Sequence, residues 1–69
     1  MTLITKFKSG KVVTYTEVDD VEQDDNYLYV YMRDGSIVRG RCRSISYYIE
    51  RYETGHEFCI YPDKGRYHY

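Results

Sequence analysis

Few residues in this chain could do chemistry, and they are widely spaced. Two cysteines and two histidines could in principle supply zinc ligands: Cys42, His56, Cys59 and His68. Zinc sites usually take ligands from close pairs of the CxxC or HxxxH kind, and no such pair occurs here. Ser44 and Ser46 lie in no GxSxG-type turn that would make either a nucleophile. We therefore expect no metal, no cofactor and no enzymatic activity.

A run of carboxylates, EVDDVEQDD, separates two strand candidates and contains Glu17, Asp19, Asp20, Glu22, Asp24 and Asp25. A calcium loop of the EF-hand type needs alternating oxygen ligands, a central Gly and a terminal bidentate Glu, and this run lacks the Gly and the spacing. Like charges at this density repel one another and stay solvated. We expect a solvated loop or a partner-facing acidic patch, not a metal site. Opposed to the cluster of Arg33, Arg39, Arg41 and Arg43, it makes the surface bipolar, which suits self-association or docking on a basic partner.

Composition limits the class of protein. The 69 residues are enough for one small domain over 1–69, and a chain of this length buries only about 60% of its unfolded surface. The formal net charge of -1 provides no cationic field for nonspecific phosphate binding. Two cysteines without a dense framework indicate reduced thiols in the cytoplasm. No apolar run is long enough for a signal peptide or a membrane span.

Ten tyrosines and no alanine favour β-structure. Four glycine-containing turns, KSGK, RDGS, ETGH and PDKG, divide the chain at the short intervals of a small meander or an SH3-like barrel of five to seven strands. The predicted strands are 2–8, 11–18, 27–33, 36–43, 47–52, 57–61 and 66–69. The segment 45–54 has a second interpretation as a short helix, because Ile45, Tyr48, Ile49 and Tyr52 follow helical spacing.

The stretch NYLYVYMRDG alternates tyrosine with aliphatic residues, so the register of the following hairpin decides which face carries which set. A two-residue Asp-Gly loop would pair Val30 with Arg39 and mix core with solvent residues. A three-residue loop with Gly35 in the left-handed region pairs Val30 with Val38 and separates the two sets cleanly. We therefore adopt the three-residue loop.

In this register one side of the hairpin faces the core and contains Leu28, Val30, Met32, Val38 and Cys42. The other side forms an outward plate of Tyr27, Tyr29, Tyr31, Ile37, Arg39 and Arg41, with Arg43 close by. Tyrosine and arginine are enriched at binding hot spots, so the plate is the predicted binding surface. The alternative is that a second sheet, built from the hairpin over 47–61, covers the plate.

The stretch VYMRDGSIVRGRCRSISYYIERYE resembles the first motif of Sm-like small barrels. The likeness covers about a third of the chain and consists of Asp34-Gly35 at a hairpin, Gly40 five residues later, and an Ile-Ser-x-Tyr run beyond. Ser46 and Glu50 stand where that family usually has Asp and Asn, so no RNA-binding residue is carried across. The resemblance implies a small, strongly bent barrel whose protomers assemble.

Two function classes follow from these features. The first is a non-enzymatic interaction protein, homo-oligomeric, that docks on another protein as an inhibitor, adaptor or assembly factor. Its size is typical of phage and mobile-element products that block host defences. The second is a nucleic-acid or nucleotide binder in which tyrosines stack on bases and Arg39, Arg41 and Arg43 contact phosphates. The acidic run opposes the second class, because it would work against phosphate binding.

Overall fold

Seven β-strands make up most of the computed structural model, which describes residues 1–64. They are β1 (Thr2–Phe7), β2 (Val12–Tyr15), β3 (Val18–Gln23), β4 (Tyr27–Met32), β5 (Ile37–Arg41), β6 (Ile45–Arg51) and β7 (Glu57–Ile60). Short 3₁₀ turns, Cys42–Ser44 and Pro62–Lys64, follow β5 and β7. The strands form two antiparallel sheets, in the orders β2-β1-β6-β7 and β3-β4-β5. The all-β prediction is therefore confirmed.

Six predicted strands are present with small differences at their ends, and the predicted strand over 66–69 lies outside the described residues. The segment 45–54 supplies β6, so its helical interpretation is wrong. The expectation of a loop for the acidic run is also wrong, because Val18–Gln23 forms β3. Val18 and Val21 are buried there, and the intervening carboxylates stay exposed. Pairing with β4 and burial of two valines outweigh the poor strand propensity of aspartate.

The two sheets join where β2 continues into β3. Glu17 adopts a positive φ of 58°, and beyond it the chain leaves one sheet for the other. Val18 remains tied to the start of β1, since the Met1 nitrogen donates to the Val18 carbonyl at 2.8 Å and the Val18 N–H donates to the Met1 carbonyl at 3.1 Å. The chain therefore turns sharply at Glu17 without losing its contact with β1.

The β4–β5 hairpin has the predicted three-residue loop. Gly35 has a φ of 92°, and its N–H donates to the Met32 carbonyl at 3.0 Å. The Met32 N–H donates to the Ser36 carbonyl at 2.8 Å. Val30 lies opposite Val38, as the sequence predicted. The register of this hairpin is confirmed, and it fixes which side of the sheet meets the core.

The core lies between the two sheets. Its buried members are Leu3, Val18, Val21, Leu28, Val30, Ile45, Tyr48 and Ile60. The Tyr48 hydroxyl donates to Gln23 Oε1 at 2.8 Å, and Gln23 Nε2 donates to the Pro62 carbonyl at 3.0 Å, which ties β6 to the end of β3. Cys42 is buried as predicted. Among residues 1–64, no helix is long and apolar enough to cross a membrane.

Replacing Val30 by Asp tests which side of the hairpin is core. Val30 is 3% exposed, and a lone carboxylate there would be desolvated without a partner. We expect a loss of more than about 3 kcal/mol in unfolding free energy, measured by urea denaturation followed by circular dichroism.

Ile37→Asp is the matched control. It changes a β-branched residue of the same sheet, but Ile37 is 59% exposed on the other side. This control should unfold at nearly the wild-type urea concentration. Wild-type stability in the Val30 variant would show that the assignment of faces is reversed.

Candidate interaction surface

The side of the three-stranded sheet that faces away from the core carries a three-by-three array of side chains. Directly opposed residues share a face, so each line across β3, β4 and β5 is read from the strand register. The lines are Asp20–Tyr31–Ile37, Glu22–Tyr29–Arg39 and Asp24–Tyr27–Arg41. We call these nine residues the outer face. Along the strands they form three rows. The acidic row is Asp20, Glu22 and Asp24, the tyrosine row is Tyr31, Tyr29 and Tyr27, and the basic row is Ile37, Arg39 and Arg41.

The tyrosine row is open to solvent on one side. Tyr27, Tyr29 and Tyr31 are half-buried, whereas their neighbours Leu28 and Val30 on β4 are fully buried. Leu28 and Val30 pack in the same cluster as residues of the four-stranded sheet. The second sheet therefore packs against the aliphatic side of the hairpin, and the interpretation in which it covers the tyrosines is wrong.

Neighbouring charged groups hold the rings of the tyrosine row in place. The Arg39 guanidinium carbon lies 4.5 Å from the centre of the Tyr27 ring, a cation–π distance. The Tyr27 and Tyr29 ring centres are 6.1 Å apart and tilted by 51°. Partial desolvation and the nearby Asp24 carboxylate raise the pKa of Tyr29, and a hydrogen bond with Glu22 raises that of Tyr31. Both hydroxyls therefore bind to carboxylates of the acidic row.

Asp24 positions the end of the tyrosine row. Its Oδ1 accepts the backbone N–H groups of Asn26 at 2.8 Å and Tyr27 at 2.7 Å, which closes the turn between β3 and β4. Its Oδ2 accepts the Tyr29 hydroxyl at 3.2 Å. The two backbone hydrogen bonds lower the pKa of Asp24 below its ordinary value of 3.8. Neither the turn nor this contact was predicted from sequence, although an Asp two residues before Asn at a strand start is typical of an Asx turn.

The acidic and basic rows carry charge that nothing else in the described part of the chain neutralises. Among the side chains described, those of residues 1–63, the ion pairs are Arg33–Glu17 and Arg51–Glu57, and neither involves the outer face. The two rows lie two strand spacings apart, about 10 Å. This is close to the Debye length in physiological salt, about 8 Å, so their mutual attraction is largely screened.

The remaining predicted site residues lie around the outer face. Arg43 is in the 3₁₀ turn after β5 and is exposed. Together with Asn26, Tyr27 and Arg41, it lines a depression of about 150 Å³ at the end of the hairpin. Glu17 pairs with Arg33 at 2.7 Å.

Two further acidic residues, Asp19 and Asp25, are exposed in the β3 bulge and in the turn after β3, outside the array. The predicted acidic patch is thus divided. Three of its members belong to the outer face, and three lie beside it.

Metal chemistry receives no support from the described residues. Within 1–64 no group of three or more His, Cys, Asp or Glu side chains could hold a metal ion, and the predicted candidate His68 lies beyond this range.

Comparisons with protein-family models, curated proteins and solved structures find no match to this chain.

Asp24→Asn tests the role of the carboxylate in the turn. Because the folded-state pKa of Asp24 is lowered, the folded protein binds fewer protons than the unfolded chain between that pKa and 3.8. The Asp24 carboxylate therefore stabilises the folded protein fully above its ordinary pKa. This stabilisation is lost as the pH falls through the lowered pKa of the folded state. The variant should therefore lose less stability than wild type between about pH 5 and pH 2, measured by urea denaturation at each pH.

Asp25→Asn removes the adjacent carboxylate and serves as the control. Its acid profile shows how much of the change in Asp24→Asn comes from the loss of one negative charge in this turn. Identical acid profiles for Asp24→Asn and wild type would contradict the assigned role of Asp24.

Proposed function

We propose that this chain is a non-enzymatic interaction protein that docks on protein partners, its own copies included, through the outer face. The observation that carries this proposal is the arrangement of an acidic row, a tyrosine row and a basic row on one exposed sheet surface. Protein surfaces present both signs of charge together with apolar groups. The outer face presents the same mixture, so it can be complementary to a protein surface in both charge and polarity.

The composition and order of the outer face favour protein binding. Tyrosine and arginine dominate binding hot spots, because each combines a large rigid area with hydrogen-bonding groups. Side chains that are already held in place lose less conformational entropy on binding. The contacts of Arg39 with Tyr27 and of Asp24 with Tyr29 supply this order before any partner arrives.

The acidic row makes a phosphate backbone an unfavourable partner for the whole face. A nucleic-acid strand along the tyrosine row would lie about 5 Å from the acidic row, one strand spacing away. It would gain attraction from Arg39 and Arg41 on one side and meet repulsion from Asp20 and Glu22 on the other. A protein partner with mixed charge avoids this conflict.

Docking of this kind suits an inhibitor, an adaptor or an assembly factor, and a block on a host defence system is one such role. We place the protein in the cytoplasm, a reducing compartment. Cys42 and Cys59 are both free thiols, which is consistent with that setting.

A second candidate function rests on the depression at the end of the β4–β5 hairpin. Its lining contains one aromatic residue, Tyr27, two arginines, Arg41 and Arg43, and the amide residue Asn26. An aromatic ring beside two guanidiniums is the arrangement that a nucleotide needs for stacking and phosphate contact. The depression is small, so this candidate extends to a single nucleotide or to the end of a strand.

Photo-crosslinking in cells tests the proposed function without knowledge of the partner. Tyr29 is replaced by a benzophenone amino acid, which keeps an aromatic ring at the centre of the outer face. Irradiation should give discrete protein adducts, identified by mass spectrometry. The same replacement of Glu53, an exposed residue in the turn between β6 and β7, is the control and should give few adducts.

The products at position 29 separate the two candidate functions. Protein adducts that disappear when Arg39→Ala is added support docking through the outer face. Adducts that contain nucleotide, together with a raised ratio of absorbance at 260 nm to that at 280 nm in the purified protein, support the second candidate and contradict the first. Equal adducts at positions 29 and 53 would also contradict the first.

Tyr29→Ala combined with Arg39→Ala gives a second test. These residues are cross-strand neighbours on the outer face, so the double variant should lose at least about tenfold in affinity for a crosslinked partner. Its urea denaturation should stay close to that of wild type, because neither side chain belongs to the buried core. Unfolding of the double variant would mean that the tyrosine row is a structural part of the domain.

A further inference from the structure

We propose that a partner of the outer face is a second copy of this chain, stacked face to face about a two-fold axis parallel to the strands. This inference rests on the proposed function and names one partner and its orientation. It follows from the order of the three rows, because that order makes the outer face complementary to itself in one way only.

Consider a two-fold axis in the plane of the interface that runs along β4. Rotation about this axis moves each residue of the outer face to the opposite side of β4 and leaves its position along the strands unchanged. The acidic row of one copy then faces the basic row of the other, and the tyrosine rows meet at the centre. Glu22 lies over Arg39 of the second copy, Asp24 lies over Arg41 of the second copy, and symmetry repeats both pairs.

The other face-to-face orientation is excluded by charge. An axis in the same plane but across the strands would place the acidic row on the acidic row and the basic row on the basic row. Both axes keep the strands of the two sheets aligned, which is one of the two common classes of sheet packing. The charge pattern alone therefore selects the axis along the strands.

Charge complementarity is what points to a second copy as the occupant. Neither row forms an ion pair with the described side chains of residues 1–63, and a second copy supplies the opposite row at the same spacing on both sides at once. The face is small, with nine residues a side against about 20–30 in an interface of standard size. We therefore expect a weak, reversible dimer that dissociates as the salt concentration rises.

Charge reversal in two separate chains tests the arrangement. Glu22→Arg leaves only cations beside the central tyrosine, and Arg39→Glu leaves only anions there. Each variant alone should associate more weakly than wild type, because both copies of the central pair become like-charged. An equimolar mixture should form a heterodimer, because each introduced charge meets its opposite in the other chain. The double variant Glu22→Arg/Arg39→Glu should dimerise again with itself.

Sedimentation velocity from about 10 μM to about 1 mM, a range suited to weak interfaces, measures the association of each sample. We expect each single reversal to weaken the self-association at least tenfold, and the mixture to restore it. Glu53→Arg and Lys11→Glu make the same charge changes away from the outer face and should associate like wild type.

Either of two results would overturn the proposal: a wild-type chain that stays monomeric at about 1 mM and low salt, or single reversals that associate as wild type does. These failures are distinct from failure of the proposed function. Protein adducts from position 29 that contain other proteins but never a second copy would leave docking through the outer face intact.

Discussion

The left-handed conformation of Gly35 is the constraint on which the arrangement of this surface depends. Side chains alternate across a strand, so a hairpin loop one residue shorter would move every residue of β5 to the other side of the sheet. Val30 would then face Arg39, and the basic row would enter the core. With Gly35 at a φ of 92°, the loop takes up three residues, and the guanidiniums lie beside the tyrosines. A residue with a β-carbon would be strained at that φ.

The hairpin could be predicted from the sequence because only one of its two registers separates apolar from polar residues. β3 could not be predicted in the same way. Its buried residues, Val18 and Val21, are three positions apart, a spacing that does not fit the period of two expected of a strand. A bulge between Val18 and Asp20 takes up the extra residue, and such a bulge is decided by pairing with β4. The dense carboxylates also indicated a loop, although on an edge strand they can all point to water.

The site was predictable to the same extent as the strands that form it. The tyrosine row and the basic row followed from the β4–β5 register, and the structure places them on one exposed surface. The acidic residues were predicted as a patch opposed to the arginines, which makes the surface bipolar. Their place in a row on the same sheet face as the tyrosines was missed, since it depends on the β3 bulge. The resemblance to Sm-like barrels covered only a stretch beginning in β4, so it gave no information about β3.

Protection of sheet edges is the simpler explanation for charge on β3 and β5, and it accounts for part of the pattern. Charged side chains on edge strands discourage pairing with other chains, and Asp20 Oδ1 accepts the Val21 N–H at 2.8 Å, which caps a backbone donor of β3. Edge protection, however, requires only charge, and either sign is sufficient. It does not explain why β3 carries only anions, why β5 carries only cations, or why tyrosines lie between them. Neighbours in one row lie about 7 Å apart and repel, so segregation by sign destabilises the isolated chain slightly. An opposing row on a bound partner would offset that repulsion, which is why the segregation, more than the amount of charge, supports the proposed docking surface.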